Sequence, residues 1–232
     1  MNEEQFRAHE ALNKQLNDPK LRAEYAAAYD EYHPGFVARL LGYLLVGSGT
    51  LVYGKKPSYE KFKAIEVIAR IPYQSWEIAT YTLLTGFYAN EQRAIELTKT
   101  SQFSREAQDN ETMHVIVIAQ IVKRLRCQGF FRHVFIPLAF ALFYFWTIYL
   151  LYMLSRRSAL ELNYIFENHA YHQYQEFLTT HGAQLRETPV FSDFLAYYGR
   201  YPRSEYELFE SIRNDELIHR NRSIRELQTH VK

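Results

Sequence analysis

The rhythm of hydrophobic and polar positions changes several times along the chain's 232 residues. Residues 1–33 mix charged and small apolar side chains in a helix-compatible pattern, broken at Asp18-Pro19 and closed by His33-Pro34-Gly35. This predicts two short helices or a loose arm, a solvated extension covering part of the body. Residues 36–53 (FVARLLGYLLVGSGTLVY) are apolar with Arg39 as the one charge, and Gly42, Gly47 and Gly49 weaken the case for one straight helix. After Gly54-Lys55-Lys56-Pro57, the pattern predicts a helix over about 58–90, kinked near Pro72. A second follows over about 104–126, with Ser104 as its N-cap and Lys123, Arg124 and Arg126 in its last turns.

Residues 134–154 (VFIPLAFALFYFWTIYLLYML) then run without a charge, long enough to cross a bilayer at about 1.5 Å per residue. A helix over about 156–180 ends near His181-Gly182. A loop with Pro189, a Tyr-rich stretch (LAYYGRYPRSEYEL), a last helix from near Ser204 and a polar tail complete the chain. The expected division is an arm at 1–35, one domain at 36–225 and a tail at 226–232.

Two of the predicted helices carry Glu and His three residues apart: Glu111 with His114, and Glu216 with His219. Positions i and i+3 share a helix face, so each segment aims a carboxylate and an imidazole at one centre. One Glu-x-x-His is unremarkable in a chain so rich in Glu. Order and spacing carry more weight. The chain reads Glu66, then Glu111 and His114, then Glu167, then Glu216 and His219, with intervals of 45 and 49 residues between the paired glutamates. Two similar hairpins of this kind supply the ligands of a carboxylate-bridged di-iron site in a ferritin-like four-helix bundle.

That reading constrains the apolar run at 134–154. It lies between Glu111 and Glu167, which must meet, and no second long apolar run between these ligands brings the chain back. Its flanks are basic on both sides, with Arg126 and Arg132 before it and Arg156 and Arg157 after it, unlike the lopsided charge of most spanning helices. The expectation is therefore an all-α bundle with two additional apolar helices, near 36–53 and 130–154, lying along one leaflet.

Composition narrows the chemistry. A net charge of +1 gives no case for a nucleic-acid partner. The single cysteine, Cys127, excludes an intrachain disulfide, a Cys-based zinc site and an iron–sulfur cluster held by this chain alone. Nineteen Tyr and sixteen Phe suit a packed core or a membrane interface. The N-terminus lacks an apolar signal stretch and is too acidic for a transit peptide, which points to a bacterial protein or to a presequence already removed.

Four elements together resemble the alternative oxidase family, specifically its plastid terminal oxidase-like branch. They are Ile65-Glu66-Val67 continuing into Ala69-Arg70-Ile71-Pro72-Tyr73; Asn110, Glu111, Met113 and His114; Glu167-Asn168-His169-Ala170; and Arg213, Asp215, Glu216 and His219. They cover roughly residues 60–225.

The resemblance implies that Glu66, Glu111, His114, Glu167, Glu216 and His219 hold two irons, with Asn110 and Asp215 orienting the ligands from behind. It places Tyr174, seven residues after Glu167, as a tyrosine beside the metals that takes part in electron transfer; a packing role is the plainer alternative in so Tyr-rich a chain. Lys61 stands where the family often has an arginine near its quinol pocket, keeping the charge but losing the planar fork. Arg39, Ile65 and His169 are the other candidates for that pocket, and His169 and His172 suit a pocket or the bundle surface better than a metal.

The implied activity is quinol oxidation coupled to four-electron reduction of O2 to water, without proton pumping. Ubiquinol and plastoquinol are both open as substrate. The resemblance also implies a homodimer on one face of a membrane, whether bacterial inner membrane, thylakoid or another organelle membrane. A membrane-bound di-iron monooxygenase acting on a quinone precursor is the alternative enzyme. Iron storage or an inert helical protein is the non-redox alternative.

Overall fold

A computed structural model describes residues 3–125 and 129–228. Arg126, Cys127 and the end of the expected polar tail, 229–232, lie outside the described residues. Among the described residues the chain is all-α, with no named strand and one isolated bridge between Pro189 and Ser204.

The arm forms two helices, α1 (Glu3–Gln15) and α2 (Pro19–Asp30). Asp18 starts α2 by accepting from the backbone N–H groups of Lys20 and Leu21 at 2.8 and 3.1 Å, with Pro19 at the first helical position. Most of the arm is exposed or half-buried, and it covers part of the body through specific contacts. Leu16 is fully buried against Leu217 and Ile218, and the Arg220 guanidinium, itself buried, binds Asp30 Oδ1 at 2.8 Å and the Ala26 carbonyl at 2.6 Å. The polar composition of the arm concealed a contact face that is itself largely polar.

Helix α3 (Phe36–Tyr53) is continuous despite its glycines. Gly42 has a packing reason: a Cβ there would lie 2.8 Å from Ile165 Cγ2, so the missing side chain lets α3 close onto the helix behind it. Helix α4 (Tyr59–Phe87) starts at Ser58, whose side chain accepts from Lys61 N at 3.2 Å, and runs on past Pro72. Helix α5 (Glu91–Arg124) begins far earlier than expected. Its cap is Asn90, which accepts from Arg93 N at 3.0 Å, whereas Ser104 is buried mid-helix and donates to the Thr100 carbonyl at 2.9 Å. A serine that bonds back one turn satisfies itself inside a helix, which is why it misled as a start signal.

A π-helical turn (Phe131–Phe135) leads into α6 (Ile136–Leu154). Helix α7 (Arg156–Glu187) continues through His181 and Gly182 rather than ending there. The short α8 (Asp193–Tyr198) stops at Gly199, whose φ of 92° is left-handed, and α9 (Glu205–Gln228) closes the fold.

Helices α4 and α5 pair along their lengths, as do α7 and α9, and the two hairpins enclose the core. Phe62, Trp76, Phe103, Tyr174, Phe177 and Phe209 fill it, with Phe62 and Tyr174 stacked at 4.1 Å between ring centroids. Helix α3 lies on α7, and α6 lies on α4 and α7. On α6 the inward residues Pro137, Ala141, Tyr144, Ile148 and Tyr152 recur at helical spacing. Leu138, Leu142, Phe143, Trp146, Leu150 and Leu154 point outward and are exposed. On α3 the inward face is Ala38, Gly42 and Leu45, and Phe36, Leu40, Tyr43, Leu44 and Leu51 face out. Both helices are long and apolar enough to cross a membrane, yet only 17% and 22% of their apolar stretches are buried. So large an exposed apolar area marks an interaction surface.

Candidate metal centre

Each long helix delivers part of one cluster. Helix α4 brings Glu66, α5 brings Glu111 and His114 one turn apart, α7 brings Glu167, and α9 brings Glu216 and His219. All six side chains are buried. They form two overlapping groups, Glu66, Glu111, His114 and Glu216 in one and Glu111, Glu167, Glu216 and His219 in the other. Within each group, one ligand atom per residue lies within 4.8 Å of all the others. Glu111 and Glu216 belong to both, so each group has one carboxylate and one imidazole of its own and shares two carboxylates with its neighbour.

The electrostatics of this cage call for cations. Burial pushes the Glu66 and Glu167 carboxyls up to about 7, and the charge on Glu111 adds to the rise. Burial and the charges of Glu111, Glu66 and Glu167 hold the Glu216 carboxyl well above the usual range. Burial acts the same way on Glu111, but His114 and His219 beside it outweigh that and keep its carboxyl low. Four carboxylates in a dry core are costly unless paired, and two divalent ions would bring their charge to zero.

Orphaned atoms point the same way. Glu111 Oε1, Glu167 Oε2, both oxygens of Glu216 and His219 Nδ1 are buried without a hydrogen-bond partner among the described residues. His219 Nδ1 approaches Glu111 Oε1 to 2.7 Å, yet neither atom is directed for a hydrogen bond. Ligand atoms adjacent on one ion, each about 2.1 Å from it, sit roughly 3 Å apart. Oxygen-rich ligation with two imidazoles and no thiolate suits paired non-haem irons. The residues fit such a pair.

Behind the cluster, His114 Nε2–H donates to Asp215 Oδ2 at 2.9 Å, which leaves Nδ1 facing Glu66 Oε2 and Glu111 Oε2 at 3.2 and 3.3 Å. Asp215 thereby fixes tautomer and ring orientation together. Burial alone would raise the Asp215 carboxyl, but the Arg200 guanidinium, with hydrogen bonds from Arg200, His114 and His9, holds it well below the usual range. Asn110 donates to Asp215 Oδ2 at 3.3 Å and to the Tyr198 hydroxyl at 3.2 Å.

Tyr174 lies in the core with its hydroxyl hydrogen-bonded to Glu66 Oε1. Sequence reasoning missed a second such phenol. The Tyr73 hydroxyl donates to Glu167 Oε1 at 2.7 Å and accepts from Asn163 Nδ2 at 2.9 Å. The signal was present, since Tyr73 follows Glu66 by the same seven residues that separate Tyr174 from Glu167. Arg200, Glu10, His9 and Asn13 were missed as well. For Arg200 the one available cue was Gly199, a helix stop that turns the chain inward.

Of the four candidate quinol-pocket residues, three share one cleft. Lys61, Ile65 and His169 line a narrow space of about 40 Å³ between α3, α4 and α7, with Phe166, Leu45 and Tyr53. Arg39 is exposed on α3 and lies outside it. The cleft touches the residues immediately before two of the glutamates, Ile65 and Phe166. Lys61 is buried, and its ammonium donates to the Lys55 carbonyl at 2.9 Å; burial pulls its pKa down. His172 is exposed on α7 and is absent from both the cluster and this cleft. A roomier cleft of about 520 Å³ lies across α4, between α4, α5 and α6, with Arg70 and Gln74 on its wall.

The family model for alternative oxidases matches residues 34–227. Among curated proteins, the chain is 23% identical over 242 aligned positions to Ubiquinol oxidase 4, chloroplastic/chromoplastic, of Arabidopsis thaliana, with 94% of this chain covered. The chain spans 66% of that relative's length. No solved structure matches it.

Proposed function

The chain belongs to the alternative oxidase family, and from that premise we propose that it is a membrane-associated quinol:oxygen oxidoreductase. Glu66, Glu111, His114, Glu167, Glu216 and His219 would hold its two irons, with Glu111 and Glu216 common to both ligand groups. The observation that carries this reading is the overlap of two buried Glu/His groups through those two glutamates. When bound, the irons supply reversible ferrous–ferric chemistry, so that two quinols deliver four electrons and four protons to O2 and leave as two quinones and two waters.

The chain's own residues do the rest. The apolar shell excludes water from the cluster, and Asp215 keeps the His114 proton on Nε2. Tyr174, hydrogen-bonded to Glu66, is the residue proposed to take part in electron transfer. Substrate reaches the narrow cleft of Lys61, Ile65 and His169 from the lipid side, past the outward face of α3. Burial, with the charges of Lys61 and His172, lowers the His169 pKa to about 4. Its imidazole is therefore neutral at pH 7 and able to accept a quinol proton. At about 40 Å³ the cleft is smaller than a quinol ring, so the ring's entry requires the cleft to widen.

In this reading α3 and α6 lie in one leaflet. What supports it is that Glu111, before α6, and Glu167, after it, meet at a single cluster. The domain over 36–225 carries the reaction without proton pumping, as a homodimer by family likeness, and the relative's name favours ubiquinol among quinols. The monooxygenase alternative draws on the larger cleft near Arg70, which borders Val67 and Val115, neighbours in sequence of Glu66 and His114.

Oxygen uptake by the iron-loaded protein with a short-chain quinol tests these readings. Two quinols consumed per O2, with no other reductase present, is the expected result. Uptake that requires an external reductase and hydroxylates a substrate favours the monooxygenase. No uptake with two irons bound overturns both.

A further inference from the structure

We infer that helix α1 is part of the apparatus that positions His114, acting through Arg200 and Asp215, so that its docking governs the hold on one metal of the pair. This inference rests on the di-iron reading above. It goes beyond the family likeness, because α1 lies wholly before residue 34, where the family match begins.

The contacts form one continuous chain of charge-assisted hydrogen bonds. Glu10 accepts from Arg200 Nε at 3.0 Å and from Nη2 at 2.6 Å. The other edge of the same guanidinium donates to Asp215 Oδ2 at 2.5 Å and Oδ1 at 2.9 Å. Asn13 Nδ2 donates to Asp215 Oδ1 at 2.6 Å, and His9 Nε2–H donates to the same oxygen at 2.8 Å. Asp215 then takes the His114 proton donor on its far side. A guanidinium is a planar fork with a fixed angle between its donors. Glu10 on one edge therefore sets where the other edge points, and Asn13 fixes the carboxylate it points at.

The arrangement is one-sided. Among the described residues, the carboxylates around His219 are Glu111, at 2.7 Å, and Glu167 and Glu216 in the same group, all of them proposed ligands. No counterpart of Asp215 braces the second imidazole, whose ring lies 5.8 Å from that of His9. Loosening α1 therefore acts on the ion held by Glu66 and His114 before the ion held by Glu167 and His219.

The test uses the full iron-loaded chain with Glu10→Ala and Asn13→Ala made separately, and Lys14→Ala, on the exposed side of α1, as the control. Iron release to a chelator and the Mössbauer spectrum are the readouts. The expected result is that one of two irons leaves about 10-fold faster, the scale of a lost contact behind a ligand. One of the two quadrupole doublets shifts with it, while the second iron and the control behave as in the parent. Glu10→Gln keeps the shape and an acceptor oxygen, so it folds where Glu10→Ala does not, and an intermediate effect is expected from it. Two irons released and resolved as in the parent overturn the inference. So does equal loosening of both irons with a lower melting temperature of the iron-free protein, the mark of a purely structural clamp. A parent that binds fewer than two irons overturns the di-iron reading, and this inference with it. A normal parent with unaltered variants removes only the role of α1.

Discussion

The Tyr73 hydroxyl and the Glu167 carboxylate meet at 2.7 Å across the two hairpins of the bundle. Tyr174 repeats the relationship in the opposite sense, from α7 to Glu66 on α4. Each phenol follows the glutamate of its own helix by seven residues and serves the glutamate of the other hairpin, so the two halves are cross-braced at the cluster. A hydrogen bond to a buried carboxylate contributes about 1.5–3 kcal/mol. Tyr73→Phe is therefore expected to lower stability by about that amount, and Glu167, left with Asn163 as its donor at 3.2 Å, is held less firmly. Chemical denaturation of parent and variant checks this, and an unchanged midpoint would show the bond to be dispensable.

Glu216 contributes to both metal groups and, among the described residues, has no hydrogen-bond partner for either oxygen. Glu216→Ala is expected to reduce iron content from two per chain to one or none, with most of the oxygen uptake lost. Because the substitution also removes a buried carboxylate held well above its usual pKa, the iron-free variant should melt at or above the parent. Metal analysis after desalting decides the first point; two irons retained would remove Glu216 from the ligand set.

His169 gives a pH dependence with a defined sign. Its folded pKa of about 4 lies below the ordinary histidine value of 6.5. Between those values the unfolded chain binds the proton and the folded one does not, so stability is complete above about 6.5 and falls as pH drops toward 4. With the side chain only half-buried, screening reduces the effect to roughly 2 kcal/mol or less. His169→Gln is expected to flatten the stability profile in that window and leave it unchanged at pH 8. An equally steep profile in the variant would assign the slope to other groups.

Gly42 and Gly47 should respond oppositely to the same change. A Cβ at Gly42 would press on Ile165 at 2.8 Å, whereas at Gly47 nothing lies within 4 Å. Gly42→Ala forces α3 away from α7 and should cost about 1–3 kcal/mol. Gly47→Ala should stabilise by up to about 1 kcal/mol through helix propensity. Thermal melting of the two variants compares them directly, and a shift in the same direction for both would mean that α3 does not pack on α7 as described.

Much of the framework was legible because helical periodicity is local. The apolar stretches at 36–53 and 134–154, the break at Asp18-Pro19 and the start of α9 near Ser204 follow from neighbouring residues alone. Helix ends were less legible. Ser104 and His181-Gly182 look like boundaries but sit inside long helices, because packing of α5 and α7 along the bundle outweighs weak local signals.

The spacing of Glu and His along four segments determined which side chains reach one centre, since i and i+3 share a face whatever surrounds the helix. The resemblance supplied Asn110 and Asp215 behind them, and only the tertiary structure decided what stands behind Asp215 in turn. Residues 212–221 of α9 are all buried, with ligands on one face and α1 and α2 covering the other. Glu10 and Arg200 are 190 positions apart, and their meeting at Asp215 depends on how the arm folds back. Charge complementarity over such a separation leaves no periodic trace in a sequence, because it is satisfied in space rather than along the chain.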